Sequence, residues 1–311
     1  MDKQINYSII IPVYNGEHSI ASVCARVIKV LENLKENFEI ILVDDGSKDG
    51  SWQAIKELQR KSSGIKIVQL MKNFGEHNAA MCGLNQSSGE FVIVMDDDGQ
   101  NPPEEMTKLI SKIAEGYDVV YGKYKSKKHS LFRNFGSKFN DWVATMLLNK
   151  PKGLYLCSFK IMRKCLVKEV IKYDGPYPYI DGLIFRSTRN IGAAEVAHEE
   201  RQTGRSGYTL VKLIVLWSNM FVNFSLFPLR ISTFIGLLFS GIGLFMGVYF
   251  VIDKLMHPDI AMGWASTIVV ILVFAGIQLL MLGMIGEYLG RLLLSSNRTP
   301  QFIIREKSGF D

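Results

Sequence analysis

The chain is poor in cysteine: of 311 residues only Cys24, Cys82, Cys157 and Cys165 are cysteines, and none belongs to a C-x-x-C pair. Their scatter excludes a disulfide framework or a thiolate zinc site and fits a reducing compartment. No G-x-G-x-x-G follows the first apolar run, which excludes a nicotinamide dehydrogenase. A secretory leader is also missing, because Ile9 to Val13 is too short for its apolar core and has no basic flank or cleavage site. Any membrane insertion is therefore expected to use C-terminal segments. Acidic residues are absent from Val119 to Asn140, where Lys123, Lys125, Lys127, Lys128, Arg133 and Lys138 all occur. The histidines show no metal-ligand spacing.

What the chain has in quantity is apolar sequence, arranged in two ways. Up to about residue 208 charges are spread throughout and apolar runs have strand length. Beyond it lie two long uncharged stretches, Ile231 to Ile252 and Ile260 to Gly286. Each exceeds the roughly 20 residues that a helix needs to cross a hydrocarbon core, so the pair reads as a transmembrane hairpin with spans at about 231–252 and 264–286. Arg230 precedes the first span, Arg291, Arg298, Arg305 and Lys307 follow the second, and the linker Asp253 to Gly263 carries only Lys254 as a cation. That asymmetry predicts a multi-pass protein with its large domain and both termini cytoplasmic, and the membrane expected is the plasma (inner) membrane. The expected organisation is a cytoplasmic domain over 1–208, an interfacial amphipathic helix over 209–229, the hairpin over 230–290 and a cytoplasmic tail over 291–311. The net charge of +6 would suit nucleic acid, but with a bilayer anchor on the same chain the acid-free stretch is better matched to anionic headgroups or a lipid-linked phosphate.

Within the first 208 residues, apolar runs alternate with helical periodicity. Tyr7 to Val13, Phe38 to Val43 and Val92 to Met95 read as strands, and Ala21 to Leu34 and Ser51 to Gln59 as helices. This alternation predicts an α/β fold with a Rossmann-like, mostly parallel sheet and flanking helices. Ligands of such sheets bind at the carboxyl ends of the strands. There the chain puts Pro12-Val13-Tyr14-Asn15, Asp44-Asp45-Gly46-Ser47 and Asp96-Asp97-Asp98-Gly99-Gln100. Adjacent carboxylates repel, and a hard divalent ion such as Mg²⁺ or Mn²⁺ is the cation best suited to gather them. On an extended chain Asp96 and Asp98 share a face and Asp97 opposes them, which is D-x-D spacing.

Ile-Pro-Val-Tyr-Asn, Val-Asp-Asp-Gly-Ser, Asn73-Phe74-Gly75 and Met-Asp-Asp-Asp-Gly-Gln-Asn-Pro-Pro-Glu, in this order, resemble the motifs of inverting GT-A glycosyltransferases. Arg201 to Tyr208 and the hairpin narrow the resemblance to the polyprenyl-phosphate glycosyltransferases. The resemblance implies transfer of a sugar from a nucleotide sugar, UDP-linked in preference to GDP-linked, to polyprenyl phosphate, which is undecaprenyl phosphate in bacteria. It implies a metal at Asp96, Asp98 and Gln100, with Asp44 accepting from the base imide. Pro12, Tyr14 and Glu17, with Asp45, Ser47, Asn73, Asp96 and Asp97, would form the nucleotide-sugar pocket. Lys123, Arg133, Ser137, Arg201 and Ser206 would hold the acceptor phosphate. Asp98, Asp181 and Arg201 are the expected catalytic residues.

Where some relatives of that family carry an aspartate proposed as base, this chain has Ser158, in Cys157-Ser158-Phe159-Lys160. A phosphate acceptor, largely dianionic at neutral pH, needs no base, so Asp181 is expected to orient substrate. The resemblance also implies a homo-oligomer, a tetramer in one reading, and the alternating tail Gln301 to Arg305 is expected to form a short strand, exchanged between subunits in that reading. Two alternatives remain open at this point: a processive polysaccharide synthase, against which stands the absence of a Gln-x-x-Arg-Trp motif, and a non-catalytic nucleotide-binding membrane scaffold. Nucleic acid is not an expected partner.

Overall fold

Strand β1 (Tyr7–Val13) is aliphatic on both faces, as befits a strand covered on both sides of a parallel sheet. β2 (Phe38–Asp44), β3 (Ile65–Leu70) and β4 (Phe91–Val94) join it in parallel in the order β4-β1-β2-β3. The crossovers are α1 (Ile20–Leu34), α2 (Ser51–Lys61) and α3 (Glu76–Gln86). α1 forms because Ile20, Val23, Cys24, Val27, Val30 and Leu31 recur at helical spacing and bury one stripe. It stops where Lys35 turns left-handed, with φ 55°. Alternation along β2 separates the two faces of the sheet. Ile40 and Leu42 pack in one cluster with residues of α1 and α2, whereas Ile41 and Val43 pack in another with Ala79 and Cys82 of α3.

In the computed structural model, which describes residues 5–124, 154, 156–199, 227–256, 263–297 and 299–310, the chain continues through a 3₁₀ turn (Pro103–Glu105), α4 (Met106–Ile113) and β5 (Val119–Tyr124). β6 (Lys160–Arg163), α5 (Lys164–Val170), α6 (Ile180–Ser187) and β7 (Ile191–Val196) follow. β6 lies antiparallel between β4 and β5, and β7 is parallel to β5. The tail supplies β8 (Ile304–Ser308), antiparallel to β3 of its own chain, so the sheet order is β7-β5-β6-β4-β1-β2-β3-β8. This mixed α/β sheet with flanking helices is the architecture that the periodicity predicts. The tail strand starts at Ile304, not Gln301, because the Gln301 side chain is buried donating to the carbonyls of Tyr173 and Gly175.

The described residues fall into two compact units, one within Met1–Thr209 and Arg298–Asp311, the other within Leu210–Asn297. The second holds α7 (Phe227–Met256) and α8 (Trp264–Ser296), both long and apolar enough to cross a membrane. They touch through an edge-on Phe239–Phe274 pair, centroids 6.0 Å apart. Leu237, Leu244, Phe245 and Leu282 are well exposed, more apolar surface than water tolerates on a monomer. α7 starts before residue 231 and both helices outlast the expected spans, because a helix need not end where its apolar stretch does. Residues 227–229, expected in the interfacial helix, begin α7; the remainder of that segment lies outside the described residues.

The amino ends of the central strands are locked by one buried carboxylate. Glu39 of β2 is 1% exposed. It pairs with Lys66 of β3 at 2.6 Å, accepts the Ser8 hydroxyl of β1, and accepts both the amide and the hydroxyl of Ser88 at 2.7 and 2.8 Å. Burial alone would raise its pKa, but Lys66, Ser8 and Ser88 together outweigh burial and hold it below the ordinary 4.5. Glu39→Gln should therefore cost about 2 kcal/mol, the range for hydrogen bonds to a charged group, read as a lower thermal midpoint at pH 7. Because the folded pKa is depressed, the wild-type advantage should be complete above about pH 4.5 and vanish as pH falls through the folded value.

Candidate active site

The parallel register brings the carboxyl ends of β1, β2 and β4 side by side, and backbone amides fasten their loops to one another. The Asn15 amide donates to Ser47 Oγ at 3.0 Å, Lys48 N–H to Asn15 Oδ1 at 2.9 Å and Gly16 N–H to Ser51 Oγ at 2.8 Å. Glu17 accepts the Gly50 amide at 2.5 Å. Asp44, fully buried, accepts Ser47 N–H at 3.1 Å and Gln69 Nε2 at 3.3 Å. Asp45 accepts the amides of Phe74 and Gly75 at 2.7 and 2.9 Å, fixing the entry to α3. Burial first, then Asp44, pushes its pKa up to about 6 against those amides. Gly46 is needed here: its φ is +65°, and a Cβ would press on the Lys72 carbonyl carbon at 2.6 Å. Tyr14 and Asn73 are exposed at the rim, and Pro12 is half-buried.

The acidic loop divides as the alternation predicts, although β4 itself ends at Val94. Asp97 turns to the β1 loop, where it accepts Tyr14 N–H at 3.3 Å, and a Cβ on Gly16 would strike its carboxylate. Asp96 turns to β6 and accepts Asn101 Nδ2 at 3.0 Å and the Ser158 hydroxyl. Asp98 Oδ1 accepts Gln100 N–H at 3.0 Å. The loop is anchored from behind by Arg26 of α1, which forks onto Glu104 at 2.6 and 3.0 Å and reaches Glu199 at 3.2 Å. Burial first, then Glu76 and Asp98, raises the Asp96 carboxyl to about 7; burial, Asp96 and Asp98 do the same to Asp97.

Beside this loop stands a charge cluster unforeseen in the sequence. Lys160, 4% exposed, pairs with Asp181, whose Oδ1 also accepts the Tyr121 hydroxyl at 2.9 Å. The Lys160 ammonium lies 5.0 Å from the Tyr121 ring centroid. Its field acts on Asp96 and Glu76, while Asp98 and Asp181 raise Glu76 after burial does. His77 stands edge-on to Tyr179 at 5.2 Å, and burial lowers its pKa to about 4, so it is neutral at pH 7. A lysine inside an apolar strand, Phe159-Lys160-Ile161, was the sequence signal for this cluster. Glu76 and His77 carried none beyond following Asn73-Phe74-Gly75.

Asp44, Asp45, Asp96, Asp97, Asp98, Ser47 and Glu17 are thus drawn to one edge of the sheet, and Asp181 to the flank of Asp96 through Lys160. Lys123 is exposed near the end of β5. Arg133, Ser137, Arg201 and Ser206 lie outside the described residues. Among the described residues no three His, Cys, Asp or Glu side chains converge into a preformed metal cage. The donors are nevertheless the right ones for a hard ion. Asp96 keeps Oδ1 clear of hydrogen bonds among the described residues, and crowded carboxylates near pKa 7 are those a cation relieves. Mg²⁺ and Mn²⁺ are commonly held by one or two carboxylates, with water and substrate phosphates completing the shell.

Residues 8–170 match the family described as glycosyl transferase family 2, and residues 227–292 match the GtrB C-terminal hairpin. The undecaprenyl-phosphate 4-deoxy-4-formamido-L-arabinose transferase of Proteus mirabilis (strain HI4320) is 32% identical over 305 residues, covering 97% of this chain and 94% of that one. The glycosyltransferase YkcC of Bacillus subtilis (strain 168) is 33% identical over 100% of this chain and 97% of its own. Among solved structures, glucosyl-3-phosphoglycerate synthase from Mycobacterium tuberculosis in complex with Mn²⁺, uridine diphosphate and phosphoglyceric acid shares the fold. Its TM-score is 0.51 at 17% identity, covering 69% of this chain and 75% of that one.

Carboxyls near pKa 7 are protonated in mild acid, and a cation must displace those protons. Mn²⁺ binding in the presence of UDP should therefore weaken as pH falls below 7, by about tenfold per unit for each proton displaced, and level off above 8. Calorimetry at pH 6.5 in two buffers of unlike ionisation enthalpy should register proton release; none would show that the crowding of Asp96 and Asp97 is already relieved.

Proposed function

This chain belongs to glycosyl transferase family 2 and carries a GtrB C-terminal hairpin over residues 227–292, and from that premise we propose that it moves a sugar from a nucleotide sugar to polyprenyl phosphate at a membrane surface. The observation that carries this reading is the presence, on one chain, of an acidic cleft at the carboxyl ends of β1, β2 and β4 and two apolar helices of membrane length. A water-soluble donor and a membrane-bound acceptor need both. The names of the relatives, similar over nearly their whole length, support undecaprenyl phosphate as the acceptor. Uridine is our preferred base. Both ends of the segment 210–297 join the same folded unit, which supports an even number of crossings. The positive flanks support a cytoplasmic face for that unit. Self-association is part of the same reading, with Gly243 and Gly247, where an added Cβ would meet nothing within 4 Å, leaving room for a second helix.

On this reading Pro12, Tyr14, Glu17, Asp44, Ser47 and Asn73 line the donor pocket, and Asp45 and Asp97 act by holding its loops together. Asp98, Asp96 and Gln100 would hold a divalent cation, which when bound supplies positive charge to the departing diphosphate. Lys123, Arg133, Ser137, Arg201 and Ser206 would receive the acceptor phosphate. That phosphate, largely dianionic at neutral pH, has no proton to lose, so the displacement needs no protein base and inverts the anomeric centre in one step. Asp181, paired with Lys160 and accepting from Tyr121, suits a positioning residue and not a base.

Detergent-purified protein given undecaprenyl phosphate, Mg²⁺ and a panel of labelled sugar nucleotides should carry label into the lipid phase. Asp98→Ala should lower that transfer at least about 100-fold, the scale of losing transition-state charge stabilisation. Full activity in this variant would remove Asp98 from the reaction. Label in a polymer would favour a processive synthase, and no transfer from any sugar nucleotide would favour a scaffold.

A further inference from the structure

The acidic loop is held by a directional chain of hydrogen bonds that starts on the far side of β6. Tyr124, the last residue of β5, donates its hydroxyl proton to Asn101 Oδ1 at 2.7 Å. Asn101, 1% exposed, donates Nδ2 to Asp96 Oδ2 at 3.0 Å. When Asp96 is ionised, as it would be with a cation bound, the direction is set, because a carboxylate only accepts and the amide nitrogen then faces Asp96. The amide oxygen is then left for Tyr124, whose hydroxyl must donate, and the Cys157 thiol, 2.9 Å from that hydroxyl, takes the donor role toward it. Burial keeps that thiol protonated. With Oδ2 occupied by Asn101 and by Ser158, Asp96 presents Oδ1.

Tyr124 does more than bond Asn101. Its ring meets that of His198 at a tilt of 33°, centroids 4.2 Å apart. His198 follows β7, and Glu199 next to it donates its amide to the Gln100 carbonyl at 3.0 Å. Tyr124 thus sits where the chain leaves β5 for the cationic stretch 125–138, and His198 where it leaves β7 for Arg201 to Tyr208. The ends of β5 and β7 meet through a ring pair tilted by 33° and are tied by hydrogen bonds to the loop of Asp96, Asp98 and Gln100.

We propose that Tyr124 and Asn101 are positioning residues of the cation and donor site, fixing the Asp96 carboxylate through one shared chain of hydrogen bonds. The chain of bonds is read from geometry; its bearing on a cation rests on the reading of Asp96 given above.

The test uses the full chain in detergent. Mn²⁺ affinity in the presence of UDP, followed by electron paramagnetic resonance without turnover, should weaken about tenfold in Tyr124→Phe, the low end of what partners of metal ligands are worth. Asn101→Ala should lose as much or more, and the double variant no more than Asn101→Ala alone, since both break one chain. In steady-state transfer, Tyr124→Phe should raise the half-saturating donor concentration and leave that for polyprenyl phosphate unchanged. Wild-type Mn²⁺ affinity in Tyr124→Phe, or fully additive losses in the double variant, would overturn the shared chain. A wild-type protein that binds Mn²⁺ and UDP but transfers no sugar would sink the transferase reading while leaving the Asp96 arm decided by the Mn²⁺ data.

Discussion

Five carboxylates, Glu76, Asp96, Asp97, Asp98 and Asp181, share one electrostatic neighbourhood with a single buried ammonium among the described residues, that of Lys160. Such an arrangement is unfavourable unless something holds the side chains in place, and most of the hydrogen bonds around the site do so. Tyr14, Gln100, Asn101 and Ser158 each donate to one of the acidic-loop carboxylates, and Arg26 braces the loop through Glu104. Burial first, and the neighbouring carboxylates after it, raise Asp96 and Asp97 to about 7. Carboxylates gathered in this way at the carboxyl ends of the strands suit a cationic ligand, as the proposed reading requires.

The sheet order explains how the tension is contained. β6 runs antiparallel beside β4 with Lys160 opposite Val94, so continuing that register brings Ser158 beside Asp96. Lys160 therefore reaches the cleft from inside the sheet, where a parallel neighbour entered from a crossover helix would deliver a loop. At the other end of the strands Glu39 ties β1, β2 and β3 to the segment entering β4. One end of the sheet is closed by a satisfied carboxylate, and the other is kept open by unsatisfied ones. The return of the tail as β8 on the β3 edge covers what would otherwise be an exposed strand and bonds Met71 N–H to the Ile303 carbonyl at 2.9 Å.

Much of this was legible residue by residue. The apolar runs before Asn15, Asp45 and Asp96 read as strands, the stripe Val23, Val27, Val30 and Leu31 read as a helix, and the uncharged stretches after residue 230 read as membrane-length helices. Local periodicity reports burial, and burial is what these elements share. The partners of the acidic loop were not legible. Ser158 stood where a base is missing, yet it donates to Asp96; Asn101 and Tyr124 carried no sequence signal for their part in that chain of bonds. Sequence separation hid them: Asp96 and Ser158 are 62 residues apart and Arg26 and Glu199 are 173 apart.

By itself, then, the order of residues determined which segments are strands and helices, where the carboxylates emerge, and that the chain carries a membrane-length apolar pair, because each of these follows from short-range spacing and hydrophobicity. Only the tertiary structure decided which groups each carboxylate accepts from, that Asp181 pairs with Lys160, and that Tyr124, Asn101 and Asp96 stand in one chain of hydrogen bonds. Those outcomes depend on strand order and register, which bring together side chains whose spacing along the chain carries no trace of their contact.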